Sequence, residues 1–408
     1  MSEIDLPLPD ALPPAADTVP ATVHPRLLLV LQAAIFMVSA EARVIAPLLP
    51  AIALGLQSSV AAAGMLITAY TIPYGLFQLV YGPLADRFSR QRVMGVALGL
   101  FSLGTFLSGF GPTMSALYVL RFATGAAAAG VIPIALAYVG DAVPYHERQA
   151  ALGRIISVAA LGGVLSAAVG GLIATLISWR ALFIGYGLLA LLVSVLLLRL
   201  PVVRLRAPQP RAAGILGQYR AIFRLAGSRA TALYSLVFFE GLVATSTSGY
   251  FGALLFERDH LSYAMIGGLL TLNGVASIIV ARFVGRLVAR VGERGMLLIG
   301  GTLMTLAYLL VALQPFWVFF TLGMLAAGAG FVIAHSTLQT RATELVPAQR
   351  GTAVALFAFS LFLGGGIGTS LAGLTIGNFG YLPALIGTAV LLAIFTAVSG
   401  PALRAGRG

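Results

Sequence analysis

Long apolar runs separated by short polar segments dominate this chain. From Arg26 onward, each run approaches the ~20 residues that a helix needs to cross a bilayer. Twelve runs can be distinguished, at about 26–52, 59–81, 93–111, 114–139, 149–176, 180–200, 229–256, 264–285, 295–313, 315–340, 351–377 and 381–403. Because lipid offers no hydrogen-bond partners to backbone N–H and C=O groups, each run is predicted to be α-helical. The pattern therefore predicts an all-α membrane protein with twelve transmembrane helices, called spans 1 to 12 below.

The segments outside these runs divide the chain. Residues 1–25 contain six prolines and four acidic residues, which is typical of a disordered tail, and they lack the features of a secretory signal. The longest polar segment, 201–228, is rich in proline and arginine and predicts a basic cytoplasmic linker. It separates a six-helix bundle over 26–200 from another over 229–403, and residues 404–408 form a second tail.

Composition and charge support a membrane location. Charged residues make up 9% of the chain, against roughly a quarter in soluble domains, and 59% of the residues are hydrophobic. All 25 basic residues are arginines. If the N-terminus is cytoplasmic, the outer loops hold only Arg180 and Arg258, which is the asymmetry that the positive-inside rule describes. We therefore predict a multi-pass protein of the bacterial inner membrane with both termini in the cytoplasm.

An internal repeat with an offset of 203 residues relates the two bundles. Three features recur at this offset: a charged segment beginning at Gly82 and at Gly285, an acidic-x-Val-Pro sequence at Asp141 and at Glu344, and small-residue stripes at Gly162, Ser166, Gly170 and at Gly365, Thr369, Gly373. Such stripes allow helices to pack closely in lipid. Two pseudo-symmetric six-helix bundles are the architecture of parallel-repeat transporters, whose site lies between the halves near the midplane.

The charged segment and span 4 resemble the major facilitator superfamily over residues 26–403. The family's signature between spans 2 and 3 is matched at Gly82, Leu84, Asp86, Arg87 and Arg90, while Ser89 stands where glycine is usual. The twelve-span drug:proton antiporters are the most similar branch, because Arg121 matches their span 4 arginine. Ala167 in span 5 stands where that branch has a proline linked to antiport.

The resemblance implies a cytoplasmic gate in the charged segment. Gly82 is expected to let helices approach closely, and Asp86 to face the start of span 11, where a helix N-terminus favours an anion. Arg90 is expected to pair with Asp141. We therefore predict a gating set of Gly82, Asp86, Arg87, Arg90 and Asp141. The alternative is a basic loop that only fixes topology.

Ionisable residues within the spans are candidates for function, because a charge at the bilayer centre costs at least about 2.5–3.5 kcal/mol. Glu41 and Arg43 point about 200° apart on a helix and cannot both face one cavity. Buried carboxylates can act as proton carriers, so Glu41 and Glu240 are predicted to couple protons. Arg121 is permanently charged and is predicted to modulate a nearby carboxylate. Structural ion pairs or helix–helix hydrogen bonds are the alternatives.

A second group of side chains is predicted to contact substrate. Arg43 could attract anions, Tyr70 and Phe239 could form an aromatic wall, and Asn273 and His335 could supply polar contacts. Lipid contact and helix packing are the alternatives for these five residues.

These features predict a proton-coupled secondary active transporter that works by alternating access. Export of small amphipathic or cationic compounds is the first hypothesis. The alternative is a proton symporter or facilitator for a small polar solute such as a sugar, organic acid or amino acid. A transport-inactive membrane sensor is a third possibility, against which the gate sequence argues.

The expected partners follow from the same features. They are a small-molecule substrate, protons and the lipid bilayer, with no nucleic acid. The sequence contains no Walker motif, metal cluster or nucleophile triad, so we expect no enzyme activity, cofactor or metal. One chain supplies both halves, so a monomer suffices.

Overall fold

The computed structural model describes residues 25–143, 145–201, 215–313, 316–346 and 349–405. Within these ranges the protein contains fifteen α-helices, one short 3-10 helix and no β-strand. The predicted tails, apart from Pro25, Arg404 and Ala405, and residues 202–214 of the linker lie outside the described residues.

The N-terminal half consists of seven helices that form six spans. They are α1 (Pro25–Gly55), α2 (Val60–Arg87), α3 (Arg90–Ser108), α4 (Met114–Ala128), α5 (Ile132–Ala142), α6 (Tyr145–Leu176) and α7 (Trp179–Arg199). Span 4 is divided into α4 and α5 just before Pro133. Proline has no backbone N–H to continue the helical ladder, so it is tolerated at the start of α5 but not within a continuous helix.

The C-terminal half repeats the six spans after an additional linker helix. Its elements are α8 (Ile215–Ala226), α9 (Ser228–Ala244), the 3-10 helix η1 (Thr247–Tyr250), α10 (Phe251–Asp259), α11 (Tyr263–Ala281), α12 (Val284–Leu313), α13 (Trp317–Leu345), α14 (Arg350–Phe379) and α15 (Tyr381–Ala405). Span 7 comprises α9, η1 and α10. The break coincides with Thr245–Ser248, whose hydroxyl groups compete for backbone hydrogen bonds.

Eleven described segments are long and apolar enough to cross a membrane. The twelfth is α3, whose 19 residues pack against α4 and α7. Several helices begin where a hydroxyl side chain accepts a backbone N–H, as at Ser59, Thr113, Ser178 and Ser262. The predicted fold class, twelve membrane helices in two six-helix halves, is confirmed.

Three boundaries differ from the sequence prediction. Residues 82–87 continue α2, so most of the charged segment is a helix end and not a loop. Span 9 extends back to Val284 through a break at Gly292, whose φ of +66° suits glycine. The linker prediction missed α8. Its Tyr219 hydroxyl donates to the Leu79 carbonyl of the N-terminal half at 3.1 Å, while Ile222 is buried in the C-terminal half.

Both termini lie on one side of the bundle, which we call the terminus side, and the other side is the distal side. On the distal side one buried apolar cluster contains residues of both halves, including Val44, Leu48 and Leu66 with Tyr250 and Ala372. The two other buried clusters each belong mainly to one half. The halves therefore share a core at the distal end.

Glycines make this distal contact close. A Cβ added to Gly64 would clash with the Tyr250 ring, and one added to Gly252 would clash with the Ala46 carbonyl oxygen. The Tyr250 hydroxyl donates to the Thr369 carbonyl at 3.3 Å. The approaches of Gly64 to Tyr250 and of Gly252 to Ala46 join the two halves, so within the described residues the seam is closed at its distal end.

Candidate functional site

A buried ion pair joins span 1 to span 4 in the N-terminal half. Glu41 on α1 and Arg121 on α4 are 0% and 1% exposed, and an Arg121 terminal nitrogen donates to Glu41 Oε1. The guanidinium carbon lies 4.3 Å from the Tyr70 ring centre and 6.0 Å from that of Phe183. Among the described residues, Glu41 Oε2 and Arg121 Nε have no hydrogen-bond partner. The pair is thus nearly neutral as a unit but retains unused polar atoms.

Local sequence explains how this pair is assembled. Gly125 lies one helical turn after Arg121 and meets the Tyr70 backbone, where a side chain would clash. The close approach of α2 and α4 brings the Tyr70 ring against the guanidinium group, where a cation–π contact stabilises the charge. Thr124 and Gly125 are both buried, so they contribute to the packing of span 4.

Arg43 has a different environment from Glu41, as their 200° separation predicts. Its side chain is exposed, although surrounding protein encloses it. It lies beside Gly163 of α6, where an added Cβ would be 3.3 Å from Arg43 Cδ. One turn later on α6, the Ala167 carbonyl meets Gly267 of the opposite half. Arg43 therefore lines the space between the halves and has no ion-pair partner within the described part of the chain.

A second pair joins span 7 to span 10 in the C-terminal half. Glu240 on α9 is fully buried, and its Oε2 lies 3.2 Å from Nδ1 of His335 on α13. The imidazole stacks on Phe331, with ring centres 4.8 Å apart, and is tilted against Phe357 at 5.2 Å. The His335 side chain is 19% exposed, whereas Glu240 Oε1 is buried without a partner among the described residues.

The two central pairs occupy equivalent helices but not equivalent positions. Each joins an acidic residue on the first span of its half to a basic residue on the fourth. At the 203-residue offset, however, Ala244 corresponds to Glu41 and Met324 to Arg121. Glu240 lies four residues, or about 6 Å along the helix, nearer the terminus side than Ala244.

A further ion pair links the third and fourth spans of each half near the terminus side. Arg90 pairs with Asp141 in the N-terminal half, as the resemblance implied. In the C-terminal half, Glu293 pairs with Arg341. Glu293 is the 203-residue equivalent of Arg90, so the charges are exchanged between the halves. The offset does not predict this second pair, because the 203-residue equivalent of Asp141 is Glu344, whereas Glu293 pairs with Arg341.

The other three predicted gating residues are Gly82, Arg87 and Asp86. A Cβ added to Gly82 would meet nothing within 4 Å, so the expected close helix approach at Gly82 is wrong for this conformation. Arg87 is exposed, with its guanidinium 5.8 Å from the Phe88 ring. The Asp86 side chain lies outside the described residues, so its predicted contact with span 11 has no structural counterpart here.

The predicted substrate residues separate into two groups. Tyr70 is 4% exposed and belongs to the Glu41–Arg121 cluster, so an aromatic wall at Tyr70 is not accessible in this conformation. Phe239 is half-buried and packs on Phe395, at 6.0 Å between ring centres. Asn273 is half-buried, and its carbonyl approaches Gly328. Of these five predicted residues, Arg43 and His335 are the two whose ionisable side chains are at least partly exposed.

Comparisons with known proteins identify the family. The family model described as Major Facilitator Superfamily matches residues 31–256 and 233–405. The uncharacterised MFS-type transporter YceJ of Bacillus subtilis is 26% identical, covering 88% of this chain and 92% of its own length. The putative multidrug resistance protein MdtD of Cronobacter sakazakii is 25% identical over 85% of each chain. A probable sulfoacetate transporter, SauU of Cupriavidus necator, is 33% identical over 31% of this chain and 30% of its own.

Solved structures agree on the fold. A variant of the nucleoside transporter NupG has a TM-score of 0.81 at 15% identity and covers 92% of this chain and 99% of that chain. An inward-facing bacterial homologue of the lysosomal transporter Spinster has a TM-score of 0.80 at 18% identity, covering 93% and 96%. With twelve membrane spans, an internal repeat and a family match over most of its length, the chain belongs to the Major Facilitator Superfamily and is a membrane transporter.

Proposed function

We propose that the chain is a proton-coupled secondary transporter in which the two halves rock about the central site. The observation that carries this proposal is the buried carboxylate on the first span of each half, paired with a base on the fourth. Glu41 and Glu240 are both fully buried, and each has one oxygen without a partner among the described residues. A carboxylate in such a place can take up a proton when the local field changes.

The two pairs support different parts in a transport cycle. Arginine keeps its charge, so protonation of Glu41 would leave Arg121 without its counterion and raise the local charge by one. Histidine can exchange a proton near neutral pH, and His335 is the partly exposed member of its pair. His335 is therefore suited to pass protons between the cavity and the buried Glu240.

We also propose the orientation in which both termini face the cytoplasm, since the arginines concentrate on the terminus side. With the distal end closed, the structure then corresponds to a state open to the cytoplasm. Breaking the Arg90–Asp141 and Glu293–Arg341 pairs would accompany the rocking between states. We propose that these two ion pairs act as the gate and that the transporter functions as a monomer.

The first candidate for direction is export of small amphipathic or cationic compounds in exchange for protons. A cation can compete with a proton for a buried carboxylate, so entry of one would release the other. The similarity to a putative multidrug resistance protein supports this candidate. Glu240 is the carboxylate nearer the open side.

The second candidate is proton symport or facilitated movement of a small polar solute, with an organic acid as its clearest case. The specific observation in its favour is Arg43, an exposed cation in the space between the halves that has no ion-pair partner among the described residues. The partial similarity to a probable sulfoacetate transporter points the same way, because sulfoacetate is an anion.

Proteoliposomes containing a trapped pH dye test the proposal. The full chain would be challenged with tetraphenylphosphonium, glucose and benzoate, beside Glu41→Gln, Glu240→Gln and the matched control Glu257→Gln at the distal end. Proton movement against the cation would support export, and proton movement with benzoate or glucose would support symport. In either case flux should fall to background in Glu240→Gln and persist in Glu257→Gln. Full flux in both buried-carboxylate variants would contradict coupling at these sites.

A further inference from the structure

We infer that Arg43 is the anchor of an anion-binding site, and that the chain's substrates are small organic anions bearing a carboxylate or sulfonate. This inference rests on the proposed transport function and selects its second candidate.

The charges around the N-terminal half of the site do not cancel. Arg121 is matched by Glu41, which leaves Arg43 as an additional positive charge on the same side. A guanidinium group that solvent reaches keeps its charge, so Arg43 can bind an anion. A carboxylate or sulfonate supplied by the substrate would bind through charge-assisted hydrogen bonds.

The Arg43 side chain packs closely against α6. Gly163 borders the Arg43 side chain, and a Cβ there would come within 3.4 Å of Nε as well as 3.3 Å of Cδ. Glycine at 163 therefore lets the guanidinium group lie along α6. Because the distal seam is closed by Tyr250 and Gly252, a ligand would reach this position from the terminus side.

Glu41 can make this site sensitive to protons. The charged or titratable groups close to its carboxylate are Arg121 on α4, Tyr70 on α2 and Tyr186 on α7, with Arg43 on its own helix. Protonation of Glu41 adds one positive charge to the field around Arg43 without any contact between the two residues. An anion would then bind more tightly, so anion and proton would be carried together.

Matched probes test the sign of the preferred charge. Benzoate, benzamide and benzamidinium share one ring and differ in charge, and sulfoacetate supplies a second anion. Thermal stabilisation of the purified full chain would be titrated with each probe at pH 6 and pH 8. We expect stabilisation by the anions only, weakened about tenfold or more in Arg43→Gln. Arg43→Lys should retain part of it, and the matched control Arg180→Gln on the distal side should retain all of it.

The role of Glu41 has its own readout. Because Glu41→Gln mimics the protonated residue, it should bind benzoate on the order of tenfold more tightly at pH 8 and lose most of the difference between pH 6 and pH 8. A merely structural Glu41 would weaken all probes alike. Equal or stronger stabilisation by benzamide or benzamidinium would overturn the inference. So would an unchanged response in Arg43→Gln, or no response to either anion.

These outcomes separate the inference from the proposed function. Proton flux driven by a cation, with no stabilisation by anions, would leave proton-coupled transport intact and remove the anion site. Anion binding lost in Arg43→Gln, with unaltered flux in the Glu41 and Glu240 variants, would retain the site and remove the coupling.

Discussion

The two halves of this transporter place an acidic residue on their first span and a basic residue on their fourth, but the base differs. In the N-terminal half it is Arg121, fully buried beneath an aromatic ring. In the C-terminal half it is His335, partly exposed and stacked on Phe331. One pair has a permanent cation and the other a base that can lose its proton. The two halves therefore share an acid–base pair between their first and fourth spans, but the base has different proton chemistry in each half.

The same contrast holds at the terminus side. Arg90–Asp141 and Glu293–Arg341 join the same two spans of each half with the charges exchanged. The chain thus retains an ion pair at each of these places while its residues change. What the architecture requires is an electrostatic link between two helices, and either polarity supplies it.

The largest effect is expected when the permanent cation is removed. Arg121→Gln leaves Glu41 buried without a counterion, and breaking such a pair costs about 3–5 kcal/mol. His335→Gln should cost less, about 1–3 kcal/mol, because an amide can still donate to Glu240. Thermal unfolding of the detergent-solubilised protein measures the difference.

The stability loss in Arg121→Gln should depend on pH. Protonation removes the unpaired charge, so the loss in Arg121→Gln should shrink as the pH falls from 8 to 5. The double variant Glu41→Gln/Arg121→Gln should recover part of the stability at pH 8. Equal losses in the two single variants would mean that the halves do not differ as described.

The distal seam provides the next largest effect. Gly252→Ala places a methyl group against the Ala46 carbonyl, and overpacking of this kind costs about 1–3 kcal/mol. Because the clash exists only when the seam is closed, the variant should favour the state open on the distal side. The chain has no cysteine, so Arg43→Cys gives a unique label for an impermeant maleimide.

Labelling from the terminus side should slow in Arg43→Cys/Gly252→Ala. Gly387→Ala, where an added Cβ meets nothing within 4 Å, is the control and should label at the original rate. Faster labelling from the terminus side in the Gly252→Ala background would show that this seam does not close the distal end.

Converting one pair into the other tests the comparison directly. His335→Arg would give the C-terminal half a permanent cation, so proton exchange through this residue should stop while the link to Glu240 persists. We expect the proton flux to fall about tenfold, which corresponds to about 1.4 kcal/mol. Undiminished proton flux in His335→Arg would show that His335 does not pass protons.

The smallest effect is expected at the terminus-side pairs. Arg90 and Asp141 are partly exposed, with 21% and 48% of their side chains accessible, so the pair should contribute no more than about 1 kcal/mol. Arg90→Gln should leave thermal stability nearly unchanged but alter the rate of transport. The reversed variant Arg90→Asp/Asp141→Arg should restore that rate if either polarity suffices.

Much of the fold could be predicted from the sequence because each span carries its own signal. Twelve apolar runs and one repeat were enough to predict the two halves, since bilayer thickness and backbone hydrogen bonding act on each segment separately. The prediction missed α8 and the breaks in spans 4, 7 and 9. These features depend on whether a local irregularity is supported by neighbouring helices, as Ile222 of α8 is by the C-terminal core.

The candidate site was predictable as a set of residues but not as a set of pairs. Glu41, Arg121, Glu240 and His335 stood out because ionisable groups are costly in lipid. Their partners depend on helix rotation and depth, which a single sequence does not give. Gly82 shows the same limit, because the space around it depends on where the neighbouring helices lie.

The sequence by itself determined that this protein crosses the membrane twelve times in two related halves. The length of each apolar run and the 203-residue repeat can both be read directly from the order of residues in the chain. The helix packing shows that Glu41 faces Arg121, that Glu240 faces His335, and that Arg43 has no counterion among the described residues. These pairings form where helices that are distant in the chain come into contact. Burying an unpaired charge is costly, so a buried ionisable group is stabilised by an oppositely charged neighbour.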